Sequence, residues 1–285
     1  MAAFVVQDLA GRGKGAVALR DIQRGELVIR EQPLFRVPSS INVSPTKLLH
    51  SLLSDLTDAE RATFYDLSFV NMPSQYTSGS PEYKDYLPLA IFQTNAVSAG
   101  EEAAGIFPRM ARLNHGCSFA FNVVYSWRDD EGVLVELLTA YMDTKRARAE
   151  RQHALREGYA FECKCSCCSL PIAESTASDA RLTFMSELYR AFATWSDGQI
   201  GARKAADIAR RIWHIGEQEG YVSERGRLAA DVAYVAAAVS DDDAVRQWAK
   251  LGAHWARIEL GNSSALSREM EGVKEKVMGP RDIVE

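Results

Sequence analysis

The cysteines are the residues of this sequence whose type and spacing most clearly predict chemistry. The chain has five cysteines, and three of them form a C-x-C-x-x-C pattern at Cys163, Cys165 and Cys168. Cys117 stands alone upstream. Four thiolates of this kind suit one tetrahedral Zn²⁺, with the close triplet on a loop and the fourth sulfur supplied by the fold. The spacing therefore predicts a structural zinc site.

Free or redox-active thiols are the alternative to a metal site. Four of the cysteines fall within Cys163–Cys168, which is unlike the disulfide framework of a small secreted protein. In a reducing compartment this density favours a metal. Cys167 has no partner in the scheme and is interpreted as a bystander. Since Cys117 follows Asn114 and His115 closely, zinc would fix the chain beside whatever chemistry that pair performs.

Composition and charge limit the class of protein. A chain of 285 residues with 25% charged residues and a net charge of -5 is typical of a globular protein and gives no support to direct nucleic-acid binding. No run approaches the roughly 18 apolar residues of a membrane span, and the first residues lack the features of a signal peptide. We expect a protein inside the cell, in the nucleus and/or the cytoplasm, without membrane attachment. Its oligomeric state is left open.

The first half of the chain mixes short strands with helices. Residues 1–36 read as short strands, the leucines of 45–70 recur at helical spacing, and Thr57–Glu60 has the pattern of a capping box. Residues 71–88 are rich in proline and predict a loop. Apolar runs at 121–127 and 133–135 predict a hairpin.

The second half is predicted to be helical. Residues 145–157 favour a helix, and three apolar stripes at helical spacing follow Pro171. Their short connections predict stacked helical hairpins that resemble tetratricopeptide pairs in architecture, without a clean repeat. From about Gly272 the sequence predicts weak order.

Several motifs in a fixed order carry a family resemblance. They are Gly11–Gly15, Arg20–Glu26, Gln93–Ala96, Arg112–Cys117, and Leu138–Tyr141 followed by Phe161–Cys168. Together they resemble SET-domain proteins of the SMYD-like group that lack the MYND zinc module. The Asn-His-x-Cys motif paired with C-x-C-x-x-C is the most specific part, whereas the glycine-rich start alone is weak.

The resemblance implies an α+β fold class. It implies a SET-type β-fold of short strands over residues 1–145, with a helical insertion at about 40–88. A post-SET zinc-binding segment would follow at 146–172. Residues 173–285 would form an all-helical C-terminal domain.

The resemblance also implies a function: S-adenosylmethionine-dependent methyl transfer to a lysine of a histone or other protein or peptide substrate. Tyr141 would be the catalytic residue. The implied metal ligands are Cys117, Cys163, Cys165 and Cys168. The implied cofactor-binding residues are Arg12, Gly13, Lys14, Asn95, Asn114, His115, Tyr141 and Phe161.

Simpler interpretations stand beside these roles. The glycine-rich start could be a surface turn, Tyr141 a core tyrosine at a strand end, and Phe161 a packing residue under the zinc loop. For the whole chain, the main alternative is a non-catalytic zinc-containing scaffold that binds proteins through its helices. A zinc-ribbon-like nucleic-acid binder is a third reading, which the acidic net charge disfavours.

The chain departs from the family pattern before Tyr141. Members of the family have a turn between the strand that here ends near Val135 and the segment Leu138–Tyr141, and this chain runs directly from one to the other. A connection shortened by several residues loses about 3.3 Å of reach for each. The departure predicts impaired activity, either because Tyr141 falls short of the methyl channel or because the hairpin shifts in register.

Overall fold

The computed structural model describes residues 2–128, 133–136, 140–262 and 264–277. Its architecture combines small antiparallel sheets with helices, as the α+β expectation requires. Among the helices in these ranges, none is both long and apolar enough to cross a bilayer.

The strands form three small sheets within the described residues. Strands β1 and β2 pair along their whole length, from Phe4 opposite Ala18 to Leu9 opposite Gly13. In the second sheet β8 lies between β3 and β7, and in the third β6 lies between β4 and β5. The strands are β1 (Phe4–Leu9), β2 (Gly13–Ala18), β3 (Ile29–Glu31), β4 (Arg36–Pro38), β5 (Val97–Ser98), β6 (Ala103–Gly105), β7 (Tyr125–Arg128) and β8 (Val133–Glu136).

The helices fall into an early group and a late group. The early helices are the first three, which lie between strands in the sequence. The late helices are the last five, and one helix comes between the two groups. They are α1 (Pro45–Ser54), α2 (Asp58–Tyr65), α3 (Pro81–Asn95), α4 (Arg148–Tyr159), α5 (Ile172–Ala193), α6 (Ala202–Gln218), α7 (Arg225–Ala237), α8 (Asp242–Leu260) and α9 (Ala265–Val277).

The early helices build one core with the third sheet. The capping box is present as predicted, because the Thr57 side chain accepts from the Glu60 N–H while Glu60 binds the Thr57 N–H. The prediction of a loop throughout 71–88 was wrong, since α3 begins at Pro81. Proline is favoured at the first position of a helix, and the Ser80 side chain caps the end. The buried side chains of this core are Phe35, Val37, Leu49, Leu53, Phe64, Leu67, Ile91 and Ile106.

The central hairpin is shorter than predicted. The predicted strand over 121–127 begins only at Tyr125, because Phe121 is buried in the core of the late helices and its ring packs edge-on against Tyr221. The register pairs Tyr125 and Ile29 with Glu136 from either side. The shortened connection after Val135 falls largely on residues 137–139, which lie outside the described residues.

The late helices pack in chain order. Helix α5 packs on α6, α6 on α7, α7 on α8 and α8 on α9. The helix predicted at 145–157 is α4, which runs from Arg148 to Tyr159. Helix α9 continues to Val277, and its buried Met270 packs against α7 and α8. The weak order predicted from about Gly272 stays a prediction.

Lys145 connects the strands to the late helices. Its ammonium group lies 3.1 Å from the Glu224 carboxylate and over the rings of Tyr189 and Tyr221, at 5.4 and 5.3 Å from their centroids. Burial lowers the pKa of Lys145, but the neighbouring Tyr221 and Glu224 outweigh this effect and raise it. The buried cation thus ties residue 145 to the helical half of the chain.

A buried carboxylate joins the start of α7 to the end of α8. The Glu259 carboxylate accepts a hydrogen bond from the Arg225 N–H at 2.9 Å. Burial nevertheless raises the pKa of Glu259 to about 8. The loop before β3 also reaches this region, where Gly25, with a positive φ of 83°, lies against the backbone of Ile258.

Candidate cofactor cavity and metal centre

The four cysteines of the predicted zinc site lie together. The sulfurs of Cys117, Cys163, Cys165 and Cys168 are all within 4.8 Å of one another, and those of Cys117 and Cys168 are 3.6 Å apart. Tetrahedral coordination at a Zn–S distance of about 2.3 Å separates the sulfurs by about 3.8 Å. The number, type and spacing of the ligands therefore fit one Zn²⁺ ion.

Helix α4 positions the cysteine triplet. The Gln152 side chain accepts from the Cys163 N–H at 2.9 Å and donates to the Cys163 carbonyl at 2.7 Å. The helix ends in a left-handed residue, Ala160, which turns the chain back beneath α4. The N–H of Ser169 then donates to the Cys165 carbonyl and closes the loop.

The charges around the cluster suit thiolates. Arg151 exposes only 1% of its side chain and lies 3.6 Å from the Cys167 sulfur through Nη2. Its nearest carboxylate among the described residues is that of Asp179, at 3.4 Å. Four thiolates around one divalent ion carry a net charge of about -2, which a buried guanidinium would offset. Burial raises the pKa of Cys167 to about 12, so this cysteine remains a thiol.

A cavity of about 800 Å³ lies beside the cluster. Its volume is within the usual range of small-molecule sites. All the cofactor residues implied by the resemblance, except Gly13, contribute to its walls. The glycine-rich turn, the end of α3, the segment before Cys117 and the segment after α4 therefore meet at one site.

Asn114 presents an unsatisfied donor at this site. Its side-chain Nδ2 is buried and has no hydrogen-bond partner among the described residues. Buried donors are normally paired, so this amide is suited to a ligand acceptor. Gly15 makes the arrangement possible, because a Cβ at that position would lie 2.4 Å from Nδ2.

Lys14 is occupied by an ion pair. Its ammonium group lies 2.7 Å from both carboxylate oxygens of Asp66, and Arg112 binds the same carboxylate. The hydrogen bond from Lys14 holds the pKa of Asp66 below its usual value. Asp66 was not predicted from the sequence; it lies just after α2 and binds the cavity-lining residues Lys14 and Arg112 once the early helices are docked.

Asn95 differs from Asn114 in being satisfied. As the last residue of α3, it donates through Nδ2 to the carbonyls of Ser68 at 2.7 Å and Ile91 at 2.8 Å. The bond to Ser68 holds α3 against the segment that follows α2, whereas the bond to Ile91 lies within α3 itself. The predicted contact of Asn95 with a cofactor would use its remaining oxygen.

Aromatic rings form one wall of the cavity. The Tyr141 ring lies 4.8 Å from Tyr159 and edge-on to Phe161 at 6.4 Å, by centroid distance. The Tyr141 hydroxyl donates to the Leu113 carbonyl at 2.8 Å. Tyr159 was not predicted for the site, because in the sequence it reads only as the end of a helix. Its inward direction follows from the turn at Ala160.

His115 joins the aromatic wall to the cysteine cluster. Its ring centroid lies 5.3 Å from that of Tyr141 and 6.2 Å from that of Phe161. Its Nε2 atom is 3.1 Å from the Cys117 sulfur. Burial lowers the pKa of His115 to about 4, so the imidazole is neutral near pH 7.

A second, smaller cavity of about 380 Å³ lies on the other side of Ala140. Ala140 contributes to both cavities. The walls of the second cavity include Phe121, Tyr221 and Glu224, so the connection between α6 and α7 contributes to them. The buried Thr144 also lines this cavity.

No protein-family model matches the chain. A curated relative is histone-lysine N-methyltransferase set5 of Schizosaccharomyces pombe, which is 29% identical over 179 residues, covering 59% of this chain and 50% of the relative. The chain thus spans about half the length of that protein. The similarity supports the SET-domain resemblance and a methyltransferase-type enzyme at the level of the family.

Proposed function

We propose that this chain is an S-adenosylmethionine-dependent protein-lysine N-methyltransferase. The observation that carries the proposal is the cavity of about 800 Å³, which brings the implied cofactor residues and Tyr141 to one site beside a four-cysteine cluster. Similarity to a histone-lysine N-methyltransferase supports the same reaction class.

The cavity walls offer complementary groups for the cofactor. The unpaired Asn114 amide would donate to it. Arg12 and Lys14, which line the cavity, and Gly13 between them would lie near its charged amino-acid end. Asn95, His115 and Phe161 would complete the contacts. When bound, S-adenosylmethionine supplies a methyl group that is already electrophilic on its sulfonium sulfur.

Tyr141 and its aromatic neighbours would orient the substrate amine. Methyl transfer requires the amine nitrogen to approach in line, so positioning is the main contribution of the protein. The apolar faces of the rings at Tyr141, Tyr159 and Phe161 would limit the access of water to this wall. A less polar environment favours a neutral amine over ammonium, and only the neutral form has the lone pair that accepts a methyl group.

Zinc would have a structural role in this enzyme. Cys117 belongs to the segment that carries Asn114 and His115, whereas the other three ligands follow α4. One ion bound to all four sulfurs would clamp these segments together at the edge of the cavity. Structural zinc contributes folding free energy directly.

We further propose a division of the chain into a SET domain at 1–145, a post-SET segment at 146–172 and a helical domain at 173–285. The late helices would act as a scaffold of tetratricopeptide-like pairs, and the chain would belong to the SMYD-like group without a MYND module.

The second cavity would admit the substrate lysine, and histones in the nucleus or proteins of the cytoplasm are the proposed substrates.

The test is methyl transfer from labelled S-adenosylmethionine to a panel of histones and lysine peptides. We expect transfer by the wild-type chain and a loss of at least tenfold in Tyr141→Phe. Tyr76→Phe is the matched control, because Tyr76 packs against Tyr86 away from the cavity. Calorimetry with S-adenosylmethionine separates the outcomes: absence of binding would refute the proposal and favour the non-catalytic zinc-containing scaffold.

A further inference from the structure

His115 lies between the cysteine cluster and the main chain of Tyr141. Its Nε2 atom is 3.1 Å from the Cys117 sulfur, and its Nδ1 atom is 3.0 Å from the Tyr141 backbone nitrogen. Both ring nitrogens are therefore engaged, one by a proposed metal ligand and the other by the proposed catalytic residue.

These two contacts determine which ring nitrogen carries the proton. The Tyr141 N–H can only donate, so Nδ1 of His115 must be the acceptor. A neutral imidazole that accepts at Nδ1 carries its hydrogen at Nε2. That N–H points to the Cys117 sulfur. A thiol sulfur is a weak acceptor, whereas hydrogen bonds to an ionised acceptor are about twice as strong as neutral ones.

Further contacts hold Tyr141 from other directions. The Tyr159 hydroxyl donates to the Tyr141 carbonyl at 3.3 Å, and the Tyr141 hydroxyl donates to the Leu113 carbonyl at 2.8 Å. Neither contact involves a cysteine. Among the contacts of Tyr141 with described residues given above, the one through His115 leads to a metal ligand.

We propose that His115 is a positioning residue that couples metal occupancy to the main chain at Tyr141. A metal-bound thiolate at Cys117 accepts the Nε2–H and fixes the tautomer and orientation of the ring, and Nδ1 then holds the Tyr141 N–H. Without metal, Cys117 offers the weaker acceptor, and the ring is held less firmly against the Tyr141 N–H. This inference rests on the metal site of the proposed function and not on methyl transfer.

The first experiment uses the full chain with ¹¹³Cd in place of zinc and ¹⁵N-labelled histidine. We expect His115 to be protonated at Nε2 and to be distinguished from the other histidines by coupling of that proton to ¹¹³Cd through the Cys117 sulfur. The chain has five histidines, and loss of the signal in His115→Phe assigns it. Protonation at Nδ1, or a His115 Nε2 proton without the coupling, would overturn the proposal.

The second experiment follows the Tyr141 amide in ¹⁵N-tyrosine-labelled protein, with Tyr141→Phe providing the assignment. We expect its chemical shift to change when a chelator removes the metal. In His115→Phe, with metal still bound at one ion per chain, we expect that metal-dependent shift to be lost. His153→Phe is the matched control, because this exposed histidine on α4 should leave the response intact.

The outcomes separate the two proposals. An amide that responds to metal equally in wild type and His115→Phe would overturn the coupling. A chain that binds no divalent cation would overturn both the metal site and the coupling. A chain with the expected tautomer and coupling that transfers no methyl group would refute the enzyme alone. If His115→Phe fails to fold, the tautomer and the ¹¹³Cd coupling of the wild type still decide the question.

Discussion

Replacing Asn114 by leucine should have opposite effects on stability and on ligand binding. The buried Nδ2 has no partner among the described residues, and an unsatisfied buried donor costs about 1–3 kcal/mol. Leucine has a similar size and removes that donor. The free energy of unfolding of the ligand-free chain should therefore rise by about 1–3 kcal/mol. The melting temperature should rise by about 2–4 °C per kcal/mol.

The same substitution should weaken binding of S-adenosylmethionine. A ligand acceptor that pairs with Nδ2 would lose one hydrogen bond worth about 1–3 kcal/mol, which is a decrease in affinity of about 5- to 150-fold. Urea denaturation of the ligand-free protein measures the first effect, and isothermal calorimetry measures the second.

Asn95→Leu is the matched control, because Asn95 lines the same cavity but both of its amide hydrogens are bonded to carbonyls. This variant should lose about 1–3 kcal/mol of stability, since two backbone acceptors lose their donor. The assignment of Asn114 as a ligand-facing donor would be refuted if Asn114→Leu were destabilised by a similar amount. It would also be refuted if this variant bound S-adenosylmethionine with unchanged affinity.

Further predictions concern the metal, the cavity and pH. Cys165→Ser should reduce bound zinc below one ion per chain by elemental analysis and lower the melting temperature; Cys167→Ser should retain the zinc, and its loss there would contradict the ligand assignment. Gly15→Ala should weaken S-adenosylmethionine binding at least tenfold by calorimetry, because its Cβ would lie 2.4 Å from Asn114 Nδ2. Burial raises the pKa of Glu259 from 4.5 to about 8, so the stability linked to the protonated carboxyl is fully present below pH 4.5 and is lost as the pH rises through about 8. Glu259→Gln should therefore reduce the loss of stability between about pH 4.5 and 8, as measured by urea midpoints, and an equal loss in both proteins would show that another group is responsible.

The cysteine cluster is the part of the site that the sequence predicted most directly. A tetrahedral metal site restricts ligand type, number and spacing, and those restrictions are visible as C-x-C-x-x-C plus one distant cysteine. The capping box at Thr57 was predictable for the same reason, because both of its hydrogen bonds are local. The residues of the cavity walls could be named only through the motifs of the family.

Contacts that depend on docking were not predictable from the sequence. Asp66 meets Lys14 across 52 residues, and no local pattern reports where the early helices pack. Phe121 lies in an apolar stretch of sequence that is typical of a strand. It is instead buried against the late helices, and the hairpin strand begins only at Tyr125. Prolines suggested a loop before α3, whereas Pro81 starts the helix. In each case tertiary packing decided between conformations that the local sequence permits.

The position of Lys145 has a consequence for any shortened version of the protein. Its charged group is 12% exposed and is bounded by Tyr189 of α5 and by Tyr221 and Glu224 of the connection between α6 and α7. A fragment that ends before α5 would expose this ammonium to solvent with Asp143 as its remaining acidic partner, and one wall of the second cavity would be open. The N-terminal half is therefore an incomplete folding unit, and gene fusions or domain exchanges should keep both halves together.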